Sequence, residues 1–235
     1  MTIDVAFIGH ALQEIFKVLP LTLFMTFTPV CLGILIGIIV AFVRLKQLKI
    51  LAPLLNFYVS FFRGTPIIMH IMLIYFGIPI VVDAMAQALS LDFQSNTIPI
   101  LFLVLLALTL SAGAYASEII RSGILGVPQG QLEAAYAVGL TFSQAMRRLI
   151  LPQAFSQSIP NFTNVFIGFL HATSLAFFVS IKELTGAANI VASVNLKFLE
   201  AFIAVGLIYW GVSIVVEWFA HQIEKRVTAY SKGGI

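Results

Sequence analysis

A chain of 235 residues that is 60% hydrophobic and only 10% charged falls outside the range of water-soluble domains, which carry roughly 45–50% apolar and about 25% charged residues. Its net charge of +3 calls for no nucleic-acid partner, because Lys and Arg gather beside long apolar runs where a membrane surface explains them. The single cysteine, Cys31, excludes an intrachain disulfide and a cysteine metal cluster.

Residues 1–16 hold Asp4 and Glu14 and lack a basic start. They do not have the form of a cleavable signal peptide, and predict a short interfacial helix. Stretches 18–43, 64–82, 93–117 and 149–181 then contain no Lys, Arg, Asp or Glu. A membrane-crossing helix needs about 20 mostly apolar residues at 1.5 Å each. The predicted spans are 18–43, 64–82, 97–117, 154–180 and 198–220, the last with Glu200 and Glu217 near its ends at headgroup depth. Closed barrels are the other spanning solution, but these runs are too long and too evenly apolar for alternating strands of about 10 residues. The fold class is an all-α integral membrane protein, organised as one domain over 1–235.

Pro29 is expected to kink the first span. Residues 46–62 read as a connector, with Pro53 near the start of a short interfacial helix. Arg63, Gly64, Thr65 and Pro66 launch the second span. Arg63 is either a snorkelling anchor or part of a gate that orders this entry. His70 reads as a polar packing residue or a pH-sensitive group. Residues 83–96 read as an outer loop, and the third span runs into Ser117-Glu118-Ile119-Ile120-Arg121.

Residues 128–152 form a polar knuckle between apolar runs. Pro128 favours a helix start, with Glu133 near the positive end of that helix. Gly139 supplies the positive φ that ends it. Thr141 and Gln144 read as a capping box for a second helix. Arg147 and Arg148 sit late in that helix, and Pro152 stops or kinks it. In the fourth span, Asn161 and Asn164 either bond neighbouring helices or line a path. His171, Thr173 and Ser174 serve helix packing or line the same path. Residues 182–197 form a second outer loop that dips back toward the surface, and the basic tail after Ala220 reads as partly mobile.

With five spans and the N-terminus outside, ten of the 13 Lys and Arg fall inside, and Lys17, Lys182 and Lys197 fall outside. The C-terminus and the knuckle are then cytoplasmic. No phosphate loop, zinc helix or nucleophile elbow is present, and His10, His70, His171 and His221 lack ligand spacing. This chain therefore reads as no enzyme by itself, and as binding no metal.

The pattern Glu133-Ala134-Ala135, three residues, Gly139, nine residues, then Leu149-Ile150-Leu151-Pro152 resembles the EAA loop of binding-protein-dependent ABC importer permeases. FFRGTP from Phe61, IYFGIP from Ile74, SEIIRSGILGVPQGQLEAA from Ser117 and TSLA from Thr173 are similar to phrases of the polar amino-acid permease subfamily. The resemblance covers nearly the whole chain and implies a type I importer permease fold in a bacterial cytoplasmic membrane. It implies a second permease subunit, identical or not, and two cytoplasmic ATPase subunits that bind ATP and Mg. It also implies an extracytoplasmic solute-binding protein. The coupling residues it implies are Glu133, Ala134, Ala135, Gly139, Arg147 and Pro152. The expected cargo is a polar or small zwitterionic amino acid, with some likeness to cystine permeases. A passive pore and a membrane anchor that docks a cytoplasmic partner are the other classes. Relatives commonly carry Lys-Asp-Thr-Ser where this chain has His171-Ala172-Thr173-Ser174, and Gln where it has His70.

Overall fold

The computed structural model describes residues 3–232, which form ten α-helices and no strand. Helix α1 (Val5–Phe16) is capped by Asp4, whose side chain accepts from the Phe7 N–H at 3.0 Å. Next come α2 (Leu19–Leu45), α3 (Leu51–Gly64), α4 (Ile67–Ala88) and α5 (Ile100–Leu125). Helices α6 (Gln129–Ala137) and α7 (Phe142–Ala145) are short. The chain closes with α8 (Leu151–Ala172), α9 (Leu184–Asn195) and α10 (Phe198–Lys232). Five apolar segments are long enough to cross a membrane: 19–45, 67–88, 100–125, 142–179 and 198–227.

The most extensive helix pair is α2 against α5. Hydrocarbon gives no hydrophobic drive for helix association, so close van der Waals packing must supply it. Gly33 and Gly37 lie four residues apart on α2, facing Ala112, Gly113 and Ala116 of α5. A Cβ on Gly33 would sit 2.5 Å from the Ala112 Cβ and 2.8 Å from the Gly113 nitrogen. A Cβ on Gly37 would sit 2.7 Å from the Ala116 Cβ. Only glycine allows this approach of backbones. Around it Met25, Val104, Ala107, Leu108 and Ala112 form a core shared with Ile71 of α4 and Phe169 of α8. Beside the α2 contact, Tyr58 of α3 donates its hydroxyl to the Leu110 carbonyl at 2.6 Å. A separate core joins α1, α9 and α10 through Ala11, Ile15, Leu184, Ala188, Ala201 and Ala204.

Several elements differ from the sequence expectation. The second span starts at Ile67, because Thr65 and Pro66 are extended (φ −122°, ψ 152° and φ −63°, ψ 140°). Proline drives the residue before it out of the helical region. Helix α4 continues past Val82, and Asp83 accepts from the Ser95 N–H at 2.8 Å and the Ser95 hydroxyl at 2.7 Å. Residues 83–88 are thus helix, not loop. Helix α5 runs eight residues beyond Ser117. Residues 182–197 are mostly helix α9, and the segment after Ala220 stays helical to Lys232.

Pro152 does not stop the second knuckle helix. Residues Met146–Ile150 form a wide π-type turn, in which the Leu151 N–H reaches back to the Met146 carbonyl. Such a turn re-registers the backbone ahead of a residue that lacks an N–H and crowds the carbonyl four places back. Helix therefore continues from α7 through Pro152 into α8. Beyond Ala172 it tightens to a 3₁₀ turn, Thr173–Val179, and ends at Ser180 with φ 65°.

Candidate functional site

The knuckle is a rigid elbow. At the end of α6 the Gly139 N–H donates to the Tyr136 carbonyl and the Leu140 N–H to the Ala135 carbonyl, both at 3.0 Å. These two bonds are a Schellman cap, which requires the left-handed residue that Gly139 provides at φ 80°. A Cβ there would meet nothing within 4 Å, so the requirement is conformational and not steric. Two residues on, Thr141 accepts from the Gln144 N–H while the Gln144 side chain accepts from the Thr141 N–H at 2.9 Å, closing the capping box. A C-cap and an N-cap back to back leave no free joint. Val127, Ile150 and Ala154, with Leu132 and Met146 against them, hold the elbow from beneath.

Two placements differ from expectation. Pro128 is the N-cap of α6, not its first turn. Glu133 is therefore five residues into the helix, too far from the N-terminus to gain much from its dipole. Glu133 and Ala134 are exposed, whereas Ala135 is buried and packs inward. Tyr136, Val138 and Phe142 are exposed, at 48%, 76% and 59%. Nothing in the sequence spacing distinguished these three from buried ones. Arg147 and Phe142 both line an apolar groove against α2.

Helix α8 carries a polar stripe. Gln153, Gln157, Asn161, Asn164 and His171 recur at steps of four, four, three and seven residues and, at about 100° per residue, share roughly an 80° sector. They extend about 27 Å along the axis at 1.5 Å per residue. Gln157, Asn161, Asn164 and His171 are exposed, and neither asparagine side chain is hydrogen-bonded within the described residues. The two glutamines continue a register the sequence already displays. Thr173 is not on this surface: it is fully buried, its hydroxyl donating to the Leu170 carbonyl. The Ser174 hydroxyl is turned to the His171 carbonyl at 2.6 Å.

His171 leads into a buried network. Its Nε2 lies 3.3 Å from the Ser213 Oγ, and its ring meets Tyr209 edge-on at 5.9 Å. The Tyr209 hydroxyl donates to Glu183 at 2.8 Å. Glu183 is fully buried and caps α9, accepting from the Gly186 N–H at 2.8 Å and the Thr185 N–H at 2.9 Å. Burial pushes its carboxyl above the ordinary range, while these donors pull it back. Glu183 escaped the sequence reading because a glutamate beside a lysine reads as a solvated loop.

Near the other end of the bundle Glu118 gathers three guanidinium groups. Arg121 bonds it from the next turn, Arg44 from α2 at 2.8 Å, and Arg63 from α3 at 3.8 Å. Asn56 accepts from Arg44 at 2.7 Å. Arg63 therefore belongs to a charged clasp joining three helices. Beyond it Gly64 ends α3, and the Thr65 hydroxyl bonds the Phe61 carbonyl and the His70 Nε2, both at 2.7 Å. The His70 Nδ1 meets Ser111 at 2.8 Å. His70 is thus buried with both nitrogens engaged, which suits the packing reading. No metal-ligand cluster occurs among the described residues.

Residues 33–229 match the family model described as binding-protein-dependent transport system inner membrane component. The chain is 35% identical to the L-cystine transport system permease protein TcyL of Bacillus subtilis (95% of this chain, 91% of the relative). It is 37% identical to the probable amino-acid ABC transporter permease protein PatM of Vibrio harveyi, covering 92% of each. Among solved structures, a chain from a crystal structure of an amino acid ABC transporter with histidines aligns at TM-score 0.81 and 30% identity, covering 96% of this chain and all of that one. A chain of the inward-facing MetNI methionine ABC transporter shares the fold, at TM-score 0.64 and 16% identity.

Proposed function

This chain belongs to the family of binding-protein-dependent transport system inner membrane components, and from that membership we infer that it is the membrane-spanning permease subunit of an ATP-driven ABC importer for amino acids. The elbow is the coupling element. It faces the cytoplasm, where an ATPase subunit grips it through Tyr136 and Val138 with Glu133 at the rim. ATP and Mg bind that partner, not this chain. A capped, jointless elbow transmits displacement, and continuous helix from Phe142 through Val179 carries it into the fourth span. A flexible loop would dissipate it.

The spans then alternate access along the α8 stripe, against a second permease subunit, with an external binding protein supplying the amino acid. Amide side chains exposed in a hydrocarbon setting need water or a polar partner, and a path between two subunits provides both. The cargo class is a polar or zwitterionic amino acid. Cystine leads the candidates, because the similar TcyL carries that name. The membrane is a bacterial cytoplasmic one.

The back-to-back caps around Gly139 are the observation that carries this reading. The test is ATP hydrolysis and labelled amino-acid uptake by the reconstituted complex, with Gly139→Pro as the variant. Proline removes the N–H that bonds Tyr136 and forbids positive φ. Stimulated hydrolysis and uptake should both be lost while the spans still assemble. A pore that conducts without nucleotide, or a partner retained with nothing moved, would replace this reading with the channel or the anchor.

A further inference from the structure

We propose that the groove between α2, α8 and α10 is a binding site for one anionic phospholipid. The groove encloses about 1450 Å³ and runs from Phe27 to Lys46 along α2. That is roughly 28 Å at 1.5 Å per residue, longer than half of a hydrocarbon core about 30 Å thick, so whole acyl chains fit. Its walls are mostly apolar, with Ile38 and Phe42 of α2 and Phe155 and Ile159 of α8 among them.

Two charged side chains line it, Lys46 and Arg147, both basic and both at one end. Neither lies within ion-pair distance of a carboxylate among the described residues. Lys46 rests over the Phe42 ring at 4.4 Å. Two uncompensated cations at the mouth of an apolar slot, level with the inner headgroups, match a phosphate head with its tails inside. The position around α8 excludes the substrate path from this face. Phe155, Ile159, Phe162 and Phe166 project about 180° from the centre of the Gln153–His171 stripe at 100° per residue. The stripe needs water or protein, so the groove on the opposite face is left to lipid.

The test is native mass spectrometry of the full-length chain, with the subunits that accompany it, released from bilayers of equal phosphatidylglycerol and phosphatidylcholine. Wild type should retain one phosphatidylglycerol per chain in preference to phosphatidylcholine. Each cation near the surface is worth about fivefold. K46Q/R147Q should therefore cut the preference about twenty-five-fold, while K225Q/R226Q keeps it. Ile159→Trp fills the slot with the charges intact and should expel the lipid, which keeps the test decisive if K46Q/R147Q fails to fold. Equal retention of the two lipids by wild type, or a preference that survives both sets of groove substitutions, overturns the proposal. So does an intermolecular disulfide from Phe155→Cys in a Cys31→Ser chain, which would place a second copy in the groove.

Discussion

Substituting both Gly33 and Gly37 by alanine should weaken the molecule at its closest helix contact. In an isolated helix the change would be favourable, since alanine exceeds glycine by roughly 1 kcal/mol per site. The structure reverses the sign. A Cβ on Gly33 falls 2.5 Å from the Ala112 Cβ, where ordinary contact begins at 3.4 Å, so α2 and α5 must part by about 1 Å. Overpacking costs typically 1–3 kcal/mol per site. A gap of this size also forfeits a quarter to a half of the dispersion energy along the interface. Two sites therefore lose about 4–6 kcal/mol and recover about 2 from propensity, a net destabilisation of about 2–4 kcal/mol. For a chain of this length that lowers the melting temperature of the purified protein by roughly 5–15 °C.

Gly206→Ala on α10 is the control. A Cβ there meets nothing within 4 Å, so stability should hold or rise by up to about 1 kcal/mol. Ala112→Gly added to Gly33→Ala should restore only part of the loss, because the Gly113 nitrogen still lies 2.8 Å from the new Cβ. A double variant that melts with the wild type, or no lower than Gly206→Ala, would refute the claim that backbone proximity sets this interface.

Glu118→Gln should destabilise the fold by about 2–3 kcal/mol in the same melting assay. It strands Arg44, whose side chain is 14% exposed, and buried pairs broken on one side cost 3–5 kcal/mol. Glu183→Ala should cost about 2–4 kcal/mol, because it removes a helix cap and leaves the Tyr209 hydroxyl without its acceptor. Denaturant unfolding of the assembled complex reads both. Gly139→Ala, with open space but φ 80°, should cost about 1–2 kcal/mol in strain and reduce stimulated ATP hydrolysis less than Gly139→Pro does. Asn161→Leu with Asn164→Leu should lower labelled amino-acid uptake about tenfold, roughly 1.4 kcal/mol, while leaving the melting temperature at or above wild type. A melting temperature that falls instead would identify these amides as helix-packing groups.

The spans and the elbow's caps were legible in the sequence because each rests on local physics, and the family through its resemblance to spaced motifs. Apolar runs report their own transfer cost, Thr141 and Gln144 cap a helix within three residues, and Gly139 supplies the left-handed residue that ends α6. The close packing of Gly33 and Gly37 emerged only with α5 beside them. The three-way clasp on Glu118, the burial of Glu183 under Tyr209, and the inward turn of Ala135 and Thr173 were not legible. Each depends on residues from different helices meeting: Arg44 and Glu118 are 74 positions apart, and Glu183 and Tyr209 are 26. Periodicity places a residue on one face of its own helix. Which neighbour that face meets is decided by how the helices pack, and that packing turns a polar residue into a clasp, a cap or a path.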